Sequence, residues 1–192
     1  MYSGALEFIA IILSVGCIYH AIRVEGRAFA EQWFIGAFFY GILRESFATA
    51  MLAMYAYTPQ LTFLGAAPIF VSLFHGSLFY LALQFARRFI APEKIGLTAA
   101  VVFPIAASFA LPLETTAVQL EWWTFNRAGL LIFGGMRVFM LVVWGAGAAL
   151  FCFAFARVRR TPLPDRGKLY AMITLAPIIA LADLFVAFVA EN

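Results

Sequence analysis

Charge is what this sequence has least of. Of its 192 residues, 12% are Asp, Glu, Lys or Arg, against roughly 25% in an average soluble domain. Ten acidic and 13 basic side chains leave a formal charge of +3. That small excess is too sparse for a nucleic-acid interface. It suits the basic residues that flank helices in a membrane. Cysteine is scarce too. Cys17 and Cys152 both sit inside apolar runs, which excludes a disulfide scaffold and reads as two apolar fillers. With only His20 and His75 there is no histidine–cysteine spacing of the kind that holds zinc, so no metal is expected.

What is abundant is apolar surface. Hydrophobic residues make up 65% of the chain, with 22 Phe, seven Tyr and four Trp, and the mean hydropathy is +0.94. A soluble domain of ~150 residues buries only about 70% of its unfolded surface, so this much apolar surface has no place in one. The expected architecture is an all-α polytopic membrane protein, with residues 1–192 forming one transmembrane domain.

A spanning helix needs about 20 mostly apolar residues. Six stretches qualify, near residues 4–21, 30–57, 65–86, 95–113, 130–156 and 169–190. The first has no basic lead and no small-residue cleavage pattern, so it reads as a retained helix and not as a signal peptide. Pro68, Pro104 and Pro177 fall within or at the starts of apolar stretches, where packed neighbours can satisfy the freed backbone groups. The connectors are asymmetric. Arg23, Arg27, Arg87, Arg88, Lys94, Arg157, Arg159, Arg160, Arg166 and Lys168 lie on the first, third and fifth, and Arg127 alone lies on the fourth. By the positive-inside rule the odd connectors face the cytoplasm, both termini lie outside and the six helices form an antiparallel bundle. On the fourth connector, Trp122, Trp123 and Phe125 suit a segment lying in the outer interface with its rings at headgroup level.

A few charges have no topological explanation. Arg44 and Glu45 lie in the second helix, Arg137 about two turns into the fifth, Asp183 in the sixth and Glu114 at the outer end of the fourth. A charge inside the bilayer costs about 2.5–3.5 kcal/mol on insertion scales and marks a functional candidate. Glu45 shares a stripe of small and polar residues with Ala37, Gly41, Thr49 and Ala53, and Asp183 shares one with Ala176, Ala180, Ala187 and Ala190. Small residues let membrane helices approach closely, so both acids are expected to point inward. Gly134, one turn before Arg137, allows that arginine to approach a neighbour, and Asp183 is its expected ion-pair partner. Arg44 and Glu45 are adjacent in sequence, a spacing at which helical side chains do not face each other. The run Gly145-Ala-Gly-Ala-Ala149 reads as a close helix contact. His75 reads as a hydrogen-bonded core residue or a site residue.

Two groups of short motifs are distinctive. One is Leu43-Arg-Glu45, Tyr55-Ala-Tyr57 and Leu64-Gly-Ala-Ala-Pro68 leading to His75. The other is Leu113-Glu114-Thr-Thr-Ala117 followed by Trp122-Trp-Thr-Phe125. Over roughly residues 40–145 the chain resembles the carotenoid biosynthesis protein family, whose characterised members include carotenoid 1,2-hydratases of bacteria and archaea. There an acid precedes a Tyr-x-Tyr, a Gly-x-Pro opens the next helix, and an acid-small-Ala stretch leads into Trp-x-Trp or similar. The resemblance implies a bacterial or archaeal cytoplasmic membrane, a carotenoid or other isoprenoid substrate, and a lyase that adds water to a polyene end group.

That reaction needs a proton donor, tolerance of a tertiary cation and a positioned water; it calls for no cofactor. Glu45 is the first expected donor, with Asp183 and Glu114 as further catalytic carboxyls. Arg44, Tyr55, Tyr57, His75, Trp122 and Arg137 are the expected substrate-binding residues, the aromatic faces meeting the cation. Two other readings fit the composition. One is a non-catalytic subunit that binds pigment or lipid or assists assembly of a homo- or hetero-oligomer. The other is a small transporter, although no inverted repeat marks one.

Overall fold

A computed structural model describes residues 3–58, 62–126, 131–132 and 136–191. The chain forms six long helices: α1 (Ser3–Val24), α2 (Arg27–Ser46), α3 (Ile69–Ala86), α4 (Ile95–Gln119), α5 (Val138–Arg159) and α6 (Asp165–Glu191). Five of them, all but α2, are long and apolar enough to cross a membrane. Large apolar side chains line the exterior, including Phe8, Ile12, Ile178, Phe185 and Phe188. An apolar surface this extensive has no stable place in water. In α2, Arg27, Glu31, Arg44 and Glu45 lower the hydropathy. That helix packs on α1, α3 and α6; Arg44 and Glu45 are buried there, while Arg27 and Glu31 pair with each other on its exposed first turn.

Close helix approach is made by small residues. A Cβ on Gly41 would stand 2.7 Å from the Ser72 Cα, and one on Gly145 would stand 2.9 Å from the Phe103 carbonyl oxygen. These contacts bring α2 against α3 and α5 against α4, as the expected glycine-rich contact requires. Between them an aromatic core gathers Phe29, Trp33, Tyr80, Phe151 and Phe155, with the Trp33 and Phe155 rings 4.8 Å apart and edge-on. The Trp33 indole is satisfied by the Gly76 carbonyl at 2.9 Å. Pro104 and Pro112 lie within α4 and Pro177 within α6.

The α1–α2, α3–α4 and α5–α6 connections meet at one end of the bundle. Arg87 pairs there with Glu25 at 2.7 Å, Arg159 donates to Gln32 at 3.1 Å, and Arg160 donates to the Glu93 carbonyl at 2.9 Å. The opposite end carries the non-helical structure, and here the fold departs from the sequence expectations. The second apolar stretch does not remain helical to residue 57. It ends at Ser46 and passes through a π-helical turn, Phe47–Met51. After Ala53, whose φ is +48°, it continues as strand β1 (Tyr55–Tyr57). Thr49 Oγ1 donates back to the Glu45 carbonyl at 2.8 Å, in the turn where the helix widens. A continuous apolar run cannot by itself distinguish helix from strand.

Short strands β2 (Phe63–Leu64) and β3 (Ala67–Pro68) form a hairpin that leads into α3. Strand β4 (Trp123–Phe125) pairs antiparallel with β1, Tyr55 opposite Phe125 and Tyr57 opposite Trp123. Asn126 N–H to the Met54 carbonyl and Thr58 N–H to the Trp122 carbonyl extend the ladder. Trp122 and Trp123 are therefore buried against the protein, and their rings are not turned outward as an interfacial segment would turn them. Pairing β4 with β1 turns that segment inward. Strands β5 (Leu131–Ile132) and β6 (Met136–Arg137) precede α5. Arg137 is thus at the start of α5 and not two turns inside it; Arg127 and Gly134 lie outside the described residues.

Candidate functional site

The charges without a topological role converge beneath the β1–β4 ladder. Arg44, in the last turn of α2, is buried and flanked by two acids. Its Nη1 lies 2.6 Å from Glu45 Oε1 and its Nε 3.2 Å from Asp183 Oδ2. Both contacts correct the sequence expectation. Helical neighbours do not normally meet, but the long arginine side chain reaches back to its own neighbour at the point where α2 gives way to the wider turn. Asp183 takes its ion pair from Arg44, so the expected Arg137–Asp183 pair is replaced. Arg137 instead stacks over the Phe125 ring, 4.7 Å from its centroid. It borders the cluster through that ring, which also packs on Tyr55.

Each carboxylate has further partners. Tyr40, one turn before Arg44, donates to Asp183 Oδ2 at 3.0 Å. Gly147 of α5 makes room for this contact, since a Cβ there would collide with the Tyr40 hydroxyl. Tyr55 accepts from Arg44 Nη1 and donates to Glu45 Oε2 at 2.7 Å. Tyr57 donates to the same oxygen. Glu45 therefore accepts on both oxygens, and its close partners are Arg44, Tyr55 and Tyr57. On its far side, His75 Nε2 stands 3.9 Å from Oε1. The imidazole stacks on Trp144, centroids 4.4 Å apart at 17°, and the Trp144 indole donates to Glu114 Oε1 at 2.6 Å.

One connected group thus runs from Asp183 through Arg44, Glu45 and the stacked His75 and Trp144 to Glu114. It draws on α2, α3, α4, α5, α6 and β1. Of the nine sequence candidates, Arg44, Glu45, Tyr55, Tyr57, His75, Glu114 and Asp183 belong to it. Arg137 stands at its border. Trp122 is a core residue, and its neighbour Trp123 packs on Tyr57 with ring centroids 5.6 Å apart. Tyr40 and Trp144 complete the group without having been singled out, and Trp123, expected only as an interfacial ring, joins them. Tyr40 had a readable signal, its spacing of four from Arg44 on one helix face. Trp144 had none, because its meeting with His75 and Glu114 depends on how α3, α4 and α5 pack.

The two acids differ in their surroundings. Glu45 is ion-paired, whereas among the described residues Glu114 is in no ion pair and its Oε2 accepts no hydrogen bond. A pocket of about 290 Å³ opens above the tyrosines, lined by Thr49, Ala50, Tyr55, Tyr57, Phe63 and Ala66 among others. Among the described residues no cluster of three or more His, Cys, Asp or Glu side chains is placed to hold a metal ion. Comparison with known families, characterised proteins and solved structures finds no match to this chain.

Proposed function

We propose that this protein is a membrane-embedded isoprenoid-modifying enzyme that adds water to the end group of an acyclic polyene. One observation carries the reading. Two stretches far apart in sequence pair as β1 and β4, the β1 tyrosines bond Glu45, and Glu114 is held in the same cluster by Trp144. In this reading all six helices span a bacterial or archaeal cytoplasmic membrane as an antiparallel bundle. The ladder and both termini are outside, and the arginine-rich connections face the cytoplasm.

The surroundings of the two acids divide the work between them. Glu114, free of an ion pair, is the proton donor. Its proton adds to the terminal carbon of the double bond, and the positive charge settles on the tertiary carbon. The faces of Tyr57 and Trp123 stabilise that cation. A water held at the Tyr55 and Tyr57 hydroxyls attacks it, and Glu45 accepts the water's proton through Tyr57. Return of that proton to Glu114 closes the cycle, with one water consumed and no redox change. Asp183 and Tyr40 hold Arg44 in place, and Arg44 fixes Glu45. Arg137 closes the rim of the site over Phe125.

The test is expression in a host that accumulates an acyclic carotenoid, followed by chromatographic analysis of the pigments. The chain should yield a product heavier by one water. Glu114→Gln should lower its formation by about 10²–10⁴-fold, the usual worth of a general acid, with the protein still inserted and folded. No hydrated product from the unaltered chain, or undiminished product from Glu114→Gln, would overturn the assignment.

A second reading has its own support. Arg44 is compensated twice over by Glu45 and Asp183, which is also what a purely structural ion network requires. A non-catalytic pigment- or lipid-binding subunit would keep its ligand in Glu114→Gln, form no hydrated product, and purify from native membranes with a stoichiometric partner.

A further inference from the structure

A second cavity lies away from this site, at the arginine-rich end. It is a groove of about 810 Å³ between α1 and α3, reached by one ring of α4. Its two ends differ in chemistry. Toward the bundle centre it is walled by Ile12, Leu13 and Phe109; at the connection end His20, Gln84, Arg87 and Arg88 stand among Val24, Leu81 and Phe85. The polar end is built from side chains fixed by one another. His20 Nδ1 and the Tyr80 hydroxyl are 2.7 Å apart. Gln84 and Arg87 both donate to Glu25, at 3.1 and 2.7 Å. Glu25 thus offsets Arg87. Arg88 is exposed, and among the described residues no acid lies within ion-pair distance of it.

We propose that this groove binds one anionic glycerophospholipid, with its phosphate at Arg88 and His20 and an acyl chain along α1 toward Phe109. Charge complementarity selects this occupant. The apolar wall does little to choose among lipids, because a bilayer is as apolar as the groove. Discrimination therefore falls to the head group, and a basic pocket between membrane helices favours an anionic one. The groove is apolar along one part and cationic at one end, which matches an amphiphile and not a free phosphate.

The test uses the full chain in nanodiscs of equal phosphatidylglycerol and phosphatidylcholine, released into neutral detergent and examined by native mass spectrometry. The unaltered protein should retain phosphatidylglycerol in preference to phosphatidylcholine, and added inorganic phosphate should not displace it. Arg88→Gln changes an exposed side chain and should reduce the preference about fivefold while leaving total retention in place. Gly16→Leu should abolish retention of both lipids. Gly16 lines the groove, and a Cβ there meets nothing within 4 Å, so this variant fills the groove without disturbing the helices. Equal retention of the two lipids by the unaltered chain would overturn the proposal. So would an unchanged preference in Arg88→Gln, unchanged retention in Gly16→Leu, or displacement by inorganic phosphate.

Discussion

At the residue scale, Arg44 decides how two buried acids can exist in an apolar protein. With Glu45 at 2.6 Å and Asp183 at 3.2 Å, it supplies the counter-charge for both. Breaking a buried ion pair by removing one partner costs about 3–5 kcal/mol, because the other charge stays buried. Arg44→Met should therefore lower unfolding stability in detergent by about that amount. The triple variant Arg44→Met, Glu45→Gln, Asp183→Asn should recover most of the loss, since it leaves no charge behind. A triple variant as unstable as the single would show that Arg44 acts through packing. The sequence marked all three residues, because each is a charge where the bilayer tolerates few. It did not give their pairing. Arg137 looked the better partner for Asp183 as long as residues 130–156 read as one helix; with α5 starting at Val138, Arg137 sits at the helix start on Phe125.

At the element scale, the decisive feature is the change from helix to strand after Ser46. The π-helical turn, the left-handed Ala53 and the three-residue strand β1 bring Tyr55 and Tyr57 back over Glu45. Ala53 is exposed with φ +48°, a conformation that costs an L-residue roughly 1 kcal/mol and glycine much less. Ala53→Gly should thus stabilise the protein by about 0.5–1 kcal/mol in the same denaturation assay, an unusual direction for a change to glycine. Gly41→Ala should do the reverse, because its Cβ would press on the Ser72 backbone. Overpacking of this kind costs about 1–3 kcal/mol. Helix identity and the small-residue stripes were legible in the sequence, since both rest on local spacing. The strands were not. Tyr-Ala-Tyr and Trp-Thr-Phe are each three residues long, and they are strands because they find each other across 65 or more residues.

At the scale of the whole molecule, the bundle has two unlike ends. One gathers the arginine-rich connections; the other carries the strands and, beneath them, the carboxyl cluster. The positive-inside rule then orients the proposed enzyme, and the orientation is open to measurement. In a background without Cys17 and Cys152, a cysteine placed at Thr124 should react with an impermeant maleimide added outside intact cells. One placed at Leu163 should react only after lysis, and the opposite pattern would invert the topology. Composition and hydropathic runs, by themselves, determined that this is a helical protein with helices of membrane-spanning length, and charge placement marked the residues worth examining. Those are properties of how each segment partitions between water and hydrocarbon, and they need no knowledge of neighbours. Only the tertiary structure decided which acid is ion-paired, which is not, and that Trp144 and His75 lie between them. Those facts depend on distances between helices far apart in the chain, and in an apolar bundle a charge is governed by the few groups that touch it.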